Sequence, residues 1–366
     1  MTTRRSALQY LLATGATIGA GLGRAQNTQP AGASIRRDVD YKRIATEEAY
    51  STAEIIDLYR SLLATNPADE PGFAAMWGTF LNRDQDFFDQ LFSLGERRLE
   101  DMDSMATDMH VLSLTAPGVQ VFDADTATSV ARSTNDQLAQ ACRDHPTRFA
   151  GLATIAPQDP RRAAQEIERG IKSLGLHGVI VSSHTKGEYL DEQKYWEILE
   201  AAEANDAAIY IHPRTPAPSM LQPWLARGFH GPLGGFAADV YLHTLGIITS
   251  GAFDRFPNLK IVIGHLGEGL PYFMYRLDYM QGQARGLQRR ISDYLKDNVY
   301  VTTSGMAWEP AIKFAQATMG AGHVLYAMDY PYQFDAEEVQ ITDELAISDQ
   351  DKKKLYQLNA EKLFHL

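Results

Sequence analysis

Four short apolar runs in this chain end in groups able to hold a metal ion or move a proton. Glu47-Glu48-Ala49 closes the first, and Ile211-His212-Pro213 closes a later one. Gly264-His265-Leu266-Gly267-Glu268 and Met328-Asp329-Tyr330-Pro331 close the other two. Carboxylate and imidazole both offer lone pairs to borderline or hard divalent cations such as Zn2+ or Mn2+, and leave coordination positions for water or substrate. Glu47, His212 and Asp329 make a minimal open site of this kind. His265 and Glu268 share a run and the loop after it, where they can orient a ligand or pair with each other. His184, in Ser183-His184-Thr185, is a further candidate ligand. Each residue alone has an ordinary reading: Glu47 as a helix-start acid, His212 as a hydrogen-bonded core histidine, Asp329 as a turn residue before Pro331. The functional reading rests on their shared placement.

That placement depends on the elements between them. Apolar or β-branched runs recur at 43–48, 109–114, 149–155, 178–183, 208–212, 259–265, 299–303 and 324–329, with helix-spaced stretches such as 161–174 and 191–205 between them. Strands alternating with helices predict a parallel α/β sheet, and the strand count predicts a closed (β/α)8 (TIM) barrel. An open doubly wound sheet is disfavoured, because no Gly-x-Gly-x-x-Gly or phosphate-loop pattern follows the first strand. In a barrel the carboxyl ends of the strands meet at one mouth, which would bring the four motifs around one cavity. Two excursions, 54–100 after the first strand and 213–236 after the fifth, fall on that face as lids or subunit contacts within a single domain. The catalytic domain is expected to span 41–366.

Composition narrows the partners. With 366 residues, 45% of them hydrophobic and 22% charged, the chain can bury a large core. A formal net charge of −12 argues against nucleic acid, which is bound by clustered Lys and Arg. The single cysteine, Cys142, excludes an internal disulfide and a cysteine-rich metal site.

The start of the chain carries a separate signal. Arg4 and Arg5 precede a short apolar run rich in Ala, Gly and Leu, the pattern of a twin-arginine export signal within residues 1–33. The run is short for a membrane span, so no stable span is expected after processing, and the enzyme is expected in the periplasm.

At these residues a family resemblance enters. The chain resembles the amidohydrolase-type (amidohydrolase 2) barrels that decarboxylate hydroxylated aromatic acids without oxidation, particularly the 5-carboxyvanillate decarboxylases. The similarity runs from Tyr41 to the C-terminus. It rests on Ile44-Ala45-Thr46-Glu47-Glu48-Ala49-Tyr50, Leu94-Gly95-Glu96-Arg97-Arg98, Ala156-Pro157-Gln158-Asp159-Pro160, the Gly264–Glu268 motif and Tyr326-Ala327-Met328-Asp329-Tyr330-Pro331-Tyr332. Many members of the wider superfamily carry a histidine where this chain has Ala49, which removes a two-histidine metal grip. The resemblance implies one Mn2+ held by Glu47, His212 and Asp329, with Zn2+ or Mg2+ as substitutes. It also implies that Arg83 and Arg276 grip a substrate carboxylate, Arg276 from a neighbouring subunit of a homodimer or homotetramer.

The expected reaction is loss of CO2 from an ortho-hydroxylated or methoxylated aromatic carboxylic acid. The metal would bind a carboxylate oxygen and the adjacent phenolate, and Asp329 would protonate the ring carbon, tuned by His265 and Glu268. Tyr50, Trp77, Tyr330 and Tyr332 are candidates to stack on the ring. Two alternatives use the same residues: a metal-dependent hydrolase of an ester, lactone or amide, and a binding protein that kept the barrel without turnover.

Overall fold

The computed structural model describes residue 35 and residues 37–366 apart from residue 285. The expected export segment, 1–33, lies outside the described residues. Strands form along the predicted apolar runs, and each is buried along its whole length. One parallel sheet contains β1 (Ile44–Tyr50), β2 (Met109–Leu114) and β3 (Phe149–Gly151). The other runs in order through β4 (Ala153–Thr154), β5 (Val179–Val181), β6 (Ile209–Ile211), β7 (Ile261–Ile263), β8 (Val299–Thr302) and β9 (Val324–Leu325). Burial on both faces is what parallel sheets wrapped by helices require.

Backbone bonds join the two sheets at both edges. The Leu152 N–H donates to Leu112 O at 2.8 Å and the Ala153 N–H to Gly178 O at 2.8 Å, so β3 and β4 are one barrel strand divided at Leu152. At the other edge the Thr46 N–H donates to Tyr326 O at 3.0 Å, tying β1 to the segment that follows β9. Side chains alternate accordingly. Ile180, Tyr210, Val262 and Tyr300 face inward with Ile44 and Val111, while Val181, Ile211, Ile263 and Val301 pack outward among the helices. The fold is the expected (β/α)8 barrel.

The last strand is shorter than the predicted 324–329, for a reason visible in its donors. The Tyr326 N–H turns to Leu355 O at 3.0 Å, and the N–H groups of Met328 and Tyr330 are taken by the Glu48 side chain. Diverted from the ladder, those residues leave β geometry while staying against β1. The amino-terminal end is filled by the helix Asn359–Phe364, whose Leu363 and Phe364 join the interior residues of the strands.

The first excursion is helical throughout, with helices Ala53–Thr65, Pro71–Phe80, Gln85–Phe92 and Glu96–Ser104. The Thr52 and Asp84 side chains cap the first and third by accepting from Ile55 and Phe87 N–H groups. The second excursion carries the helix Pro218–Leu225. A buried ion pair joins the two: Arg214 Nη2 lies 2.8 Å from Glu70 Oε2, both side chains under one-tenth exposed. No helix among the described residues is long and apolar enough to cross a membrane.

Candidate metal centre

Glu47 owes its position to a bulge. The pairing of β1 with β2 passes from Ala45↔His110 to Glu48↔Leu112, three steps on one strand against two on the other. Such a bulge re-aims side chains. Here the Glu47 carboxylate enters the barrel, where Oε2 accepts from the Tyr210 hydroxyl and from Thr302 Oγ1, the latter at 2.7 Å. Oε1 is buried without any hydrogen-bond partner. A buried carboxylate oxygen left unpaired is costly, so this atom lacks a partner that the protein itself does not supply.

His212, just past β6, points the same way. Its Nδ1–H donates to Pro213 O at 2.8 Å, which leaves the Nε2 lone pair free, 3.5 Å from Glu47 Oε1. Asp329, past the end of β9, completes the triangle: one ligand atom from each of Glu47, His212 and Asp329 lies within 4.8 Å of the others. Gly264 makes room, since a Cβ there would stand 2.9 Å from both Glu47 oxygens. Two carboxylates and a neutral imidazole converging on one point, one oxygen orphaned, fit a divalent cation.

Electrostatics at the centre follow from burial. Burial pushes the Asp329 carboxyl well above the usual carboxylate range; the charge on Glu47 adds to this and His265 opposes it. Burial lowers His212 despite the pull of Glu47, in keeping with a neutral ligand. His265 behaves differently: burial works against its charge, yet Glu268, with Nδ1 to Oε1 at 2.7 Å, and then Glu47 and Asp329 raise it to about 10. Histidine and glutamate thus pair beside the centre, one of the two arrangements the sequence allowed.

The backbone behind that pair is unusual. His265, Leu266, Gly267, Glu268 and Gly269 all have positive φ, between 51° and 88°. Only glycine adopts such angles freely, and a Cβ at Gly267 would also stand 2.9 Å from Pro271 Cδ. The left-handed turn directs both His265 and Glu268 to the cavity wall.

The cavity itself measures about 600 Å3, enough for a single-ring acid. His212, His265, Asp329 and Gln333 line its polar part, while Met76, Phe80, Phe236 and Met306 line its apolar part. Tyr332 lines it too, its hydroxyl bonded to Thr115 Oγ1 and its ring edge-on to Phe80. Arg83 stands on the cavity wall with its guanidinium 3.9 Å from the Phe87 ring centroid. Its guanidinium makes no ion pair with the described residues.

Other expected site residues fall elsewhere. His184 is corrected to a structural role: its Nδ1 accepts from the Gly187 N–H at 3.1 Å, so Nε2 carries the proton and donates to Thr215 O at 3.0 Å. With both nitrogens engaged, it has no lone pair for a metal. Tyr50, Trp77 and Tyr330 are packing residues, all buried, with their polar atoms on Thr134 O, Ala116 O and Asp101. Arg276 is exposed on the helix Leu270–Tyr279 and does not line this cavity within its own chain. Tyr210 and Thr302, which hold Glu47, were not singled out from sequence; their inward places on β6 and β8 were the available signal.

Comparison with known proteins agrees with this geometry. Residues 71–366 match the amidohydrolase family. The gamma-resorcylate decarboxylase of a Polaromonas species is 34% identical over 343 residues, 88% of this chain and 98% of that protein. A crystal structure of 5-carboxyvanillate decarboxylase from Novosphingobium aromaticivorans, with manganese and 3-methoxy-4-hydroxy-5-nitrobenzoic acid bound, superposes with a TM-score of 0.88. It is 45% identical, and the match covers 92% of this chain and all of that one. The 5-carboxyvanillate decarboxylase of Sphingomonas paucimobilis is 39% identical with a TM-score of 0.85, over 89% and 99% of the two chains. The extent of these matches, joined to the barrel and its three convergent side chains, establishes that the chain belongs to the amidohydrolase family.

Proposed function

We propose that this protein is a manganese-dependent, non-oxidative decarboxylase of an ortho-hydroxylated or methoxylated aromatic carboxylic acid. The observation that carries the reading is the convergence of Glu47, His212 and Asp329 within 4.8 Å at a cavity of single-ring size. Relatives named as decarboxylases of gamma-resorcylate and 5-carboxyvanillate support it over ester or amide hydrolysis.

Bound Mn2+ would supply Lewis-acid stabilisation of negative charge on substrate oxygens. The protein does the rest. Arg83 offers its planar fork to a carboxylate, and the apolar wall of Met76, Phe80 and Tyr332 packs against the ring. Asp329, whose carboxyl burial pushes above the usual carboxylate range, would carry a proton on its oxygen not facing the metal and give it to the ring carbon that bears the carboxylate. The carbon–carbon bond then breaks, its electron pair returns to the ring to restore aromaticity, and CO2 leaves. The transferred proton remains on the product, and Asp329 regains one from water. The charged His265–Glu268 pair sets the potential in which Asp329 gives up its proton.

Incubating the Mn2+-loaded protein with ortho-hydroxybenzoates and with aryl esters tests the reading. CO2 release from the acids is expected; ester cleavage without CO2 release refutes it.

Assembly and location extend the proposal. The helix bearing Arg276 exposes Tyr272, Tyr275 and Tyr279, each at least three-quarters accessible, and Trp308 is 64% exposed. Aromatic residues at that exposure, with an arginine that has no ion pair among the described residues, suit a homo-oligomer interface that carries Arg276 to a neighbour's cavity. The twin-arginine pattern supports export to the periplasm. Replacing Arg4 and Arg5 by lysine should abolish export, and unchanged periplasmic activity overturns that part.

A further inference from the structure

Glu48 stands beside the ligand Glu47 in sequence but takes no place in the triangle, and it is fully buried. Its two oxygens are each used once. Oε1 accepts the Met328 N–H at 2.9 Å and Oε2 accepts the Tyr330 N–H at 3.1 Å. Those two residues flank Asp329, whose φ of 68° is a conformation that residues with side chains rarely adopt. Three more hydrogen bonds run along the same seam: the Thr46 N–H and Oγ1 both donate to Tyr326 O, and the Ala49 N–H donates to Tyr330 O at 2.7 Å. Arg98, also fully buried, donates to Ala49 O at 2.7 Å and lies with its guanidinium carbon 4.5 Å from the Tyr330 ring centroid. Thr303 Oγ1 and the Gln333 N–H hold the carbonyl sides of the same stretch, at Ala327 O (3.1 Å) and Asp329 O (2.9 Å), but among the described residues only Glu48 takes the N–H groups of both Met328 and Tyr330.

We infer that Glu48 is a positioning residue for the metal centre: by accepting the N–H groups on either side of Asp329, its carboxylate fixes that ligand's left-handed backbone and hence its distance from Glu47. Only a carboxylate does this. Both of its oxygens accept, whereas a glutamine at the same place would turn an NH2 donor toward one of two N–H donors. Sequence adjacency then has a structural meaning, since one residue of the Glu47-Glu48 pair ligates and the next sets the spacing to the ligand across the seam. The inference rests on the proposed ligation of Mn2+ by Glu47, His212 and Asp329.

The test is Mn2+ binding by the full chain, measured calorimetrically without substrate, with the electron paramagnetic resonance spectrum of the bound ion as a second readout. Wild-type protein should bind one Mn2+; failure to bind refutes the ligand reading itself. Glu48→Gln should lose about 10- to 100-fold in Mn2+ affinity, the range usual for groups that orient metal ligands, and show an altered spectrum. Thr46→Val removes a bond of the same seam that does not touch Asp329's peptides, and should bind Mn2+ as wild type does even if it melts earlier. If Glu48→Gln does not fold, Glu48→Asp keeps the charge but retracts it, and should weaken Mn2+ binding by several-fold. Wild-type affinity and spectrum in whichever of the two Glu48 variants is folded overturn the inference, because a purely structural carboxylate would shift only the melting temperature.

Discussion

At its amino-terminal end the barrel is stoppered by Leu363 and Phe364, which bury against Ile44, Val111, Ile180 and Val262, and every one of these side chains is satisfied by contact alone. At its carboxyl-terminal end the same strands lead to Glu47, His212 and Asp329, where a buried oxygen is left without a partner. One end is made of groups that want only to leave water. The other is made of groups that burial penalises, held in place by hydrogen bonds from outside the triangle. The difference separates what keeps the barrel folded from what lets it act, and it is open to direct attack.

The largest expected effect is at the mouth. Glu47→Gln should bind Mn2+ so weakly that decarboxylation falls by at least about a thousandfold, comparable with removing a principal electrostatic element of a site, while the melting temperature holds or rises. Activity near wild type in this variant would break the division between the two ends. Next comes the floor: Phe364→Ala should cost about 3–5 kcal/mol of stability in denaturant titrations and leave Mn2+ affinity unchanged in the folded protein. A matching loss of metal affinity would show that the ends are coupled. Arg83→Ala should raise KM for an aromatic acid by roughly tenfold to a hundredfold, with a smaller change in metal affinity, as expected for a lost charge-assisted carboxylate contact.

The smallest effect concerns acid. Burial keeps His243 neutral, its pKa lowered to about 3 from 6.5, and burial likewise holds His110 and His184 well below 6.5. A depressed folded pKa contributes stability that is complete above the unfolded value and is lost as pH falls through the folded one. The melting temperature should therefore drop by several degrees as pH is lowered from 6.5 toward 4, and the drop should be smaller in His243→Gln. His177 and His323 are only partly buried by comparison. Hydrogen exchange near Ser183 and Asp239, which share a network with His243, should accordingly rise before exchange in the C-terminal helix.

The convergence of Glu47, His212 and Asp329 was legible in the sequence because all three sit at the ends of apolar runs, and strand order alone then brings them together. The (β/α)8 barrel followed from the same alternation. The helices of the first excursion were less visible: residues 54–100 read only as an insertion, since Pro71-Gly72 and Asn82 to Asp84 break the periodicity that four short helices would otherwise show. His184 looked like a ligand because it follows β5, and only the direction of its two nitrogens, set by the Gly187 and Thr215 backbones, shows otherwise. Three of the four candidate stacking aromatics turned out to be core, for a related reason: sequence places a ring near the mouth but cannot say which side of the wall it faces. Tyr210 and Thr302 were hidden because an inward-facing strand residue looks the same whether it packs or steadies a carboxylate.

The left-handed turn from His265 to Gly269 limits how this protein can change. Leu266 and Glu268 occupy angles that favour glycine, so the easiest stabilising replacements there would be glycine or asparagine. Glycine at 268 would relieve the backbone and delete the acid that keeps His265 charged, and glycine at 266 would let the turn unwind away from the cavity wall. The turn is a place where improving the fold erodes the catalyst, and directed evolution for heat tolerance should avoid it.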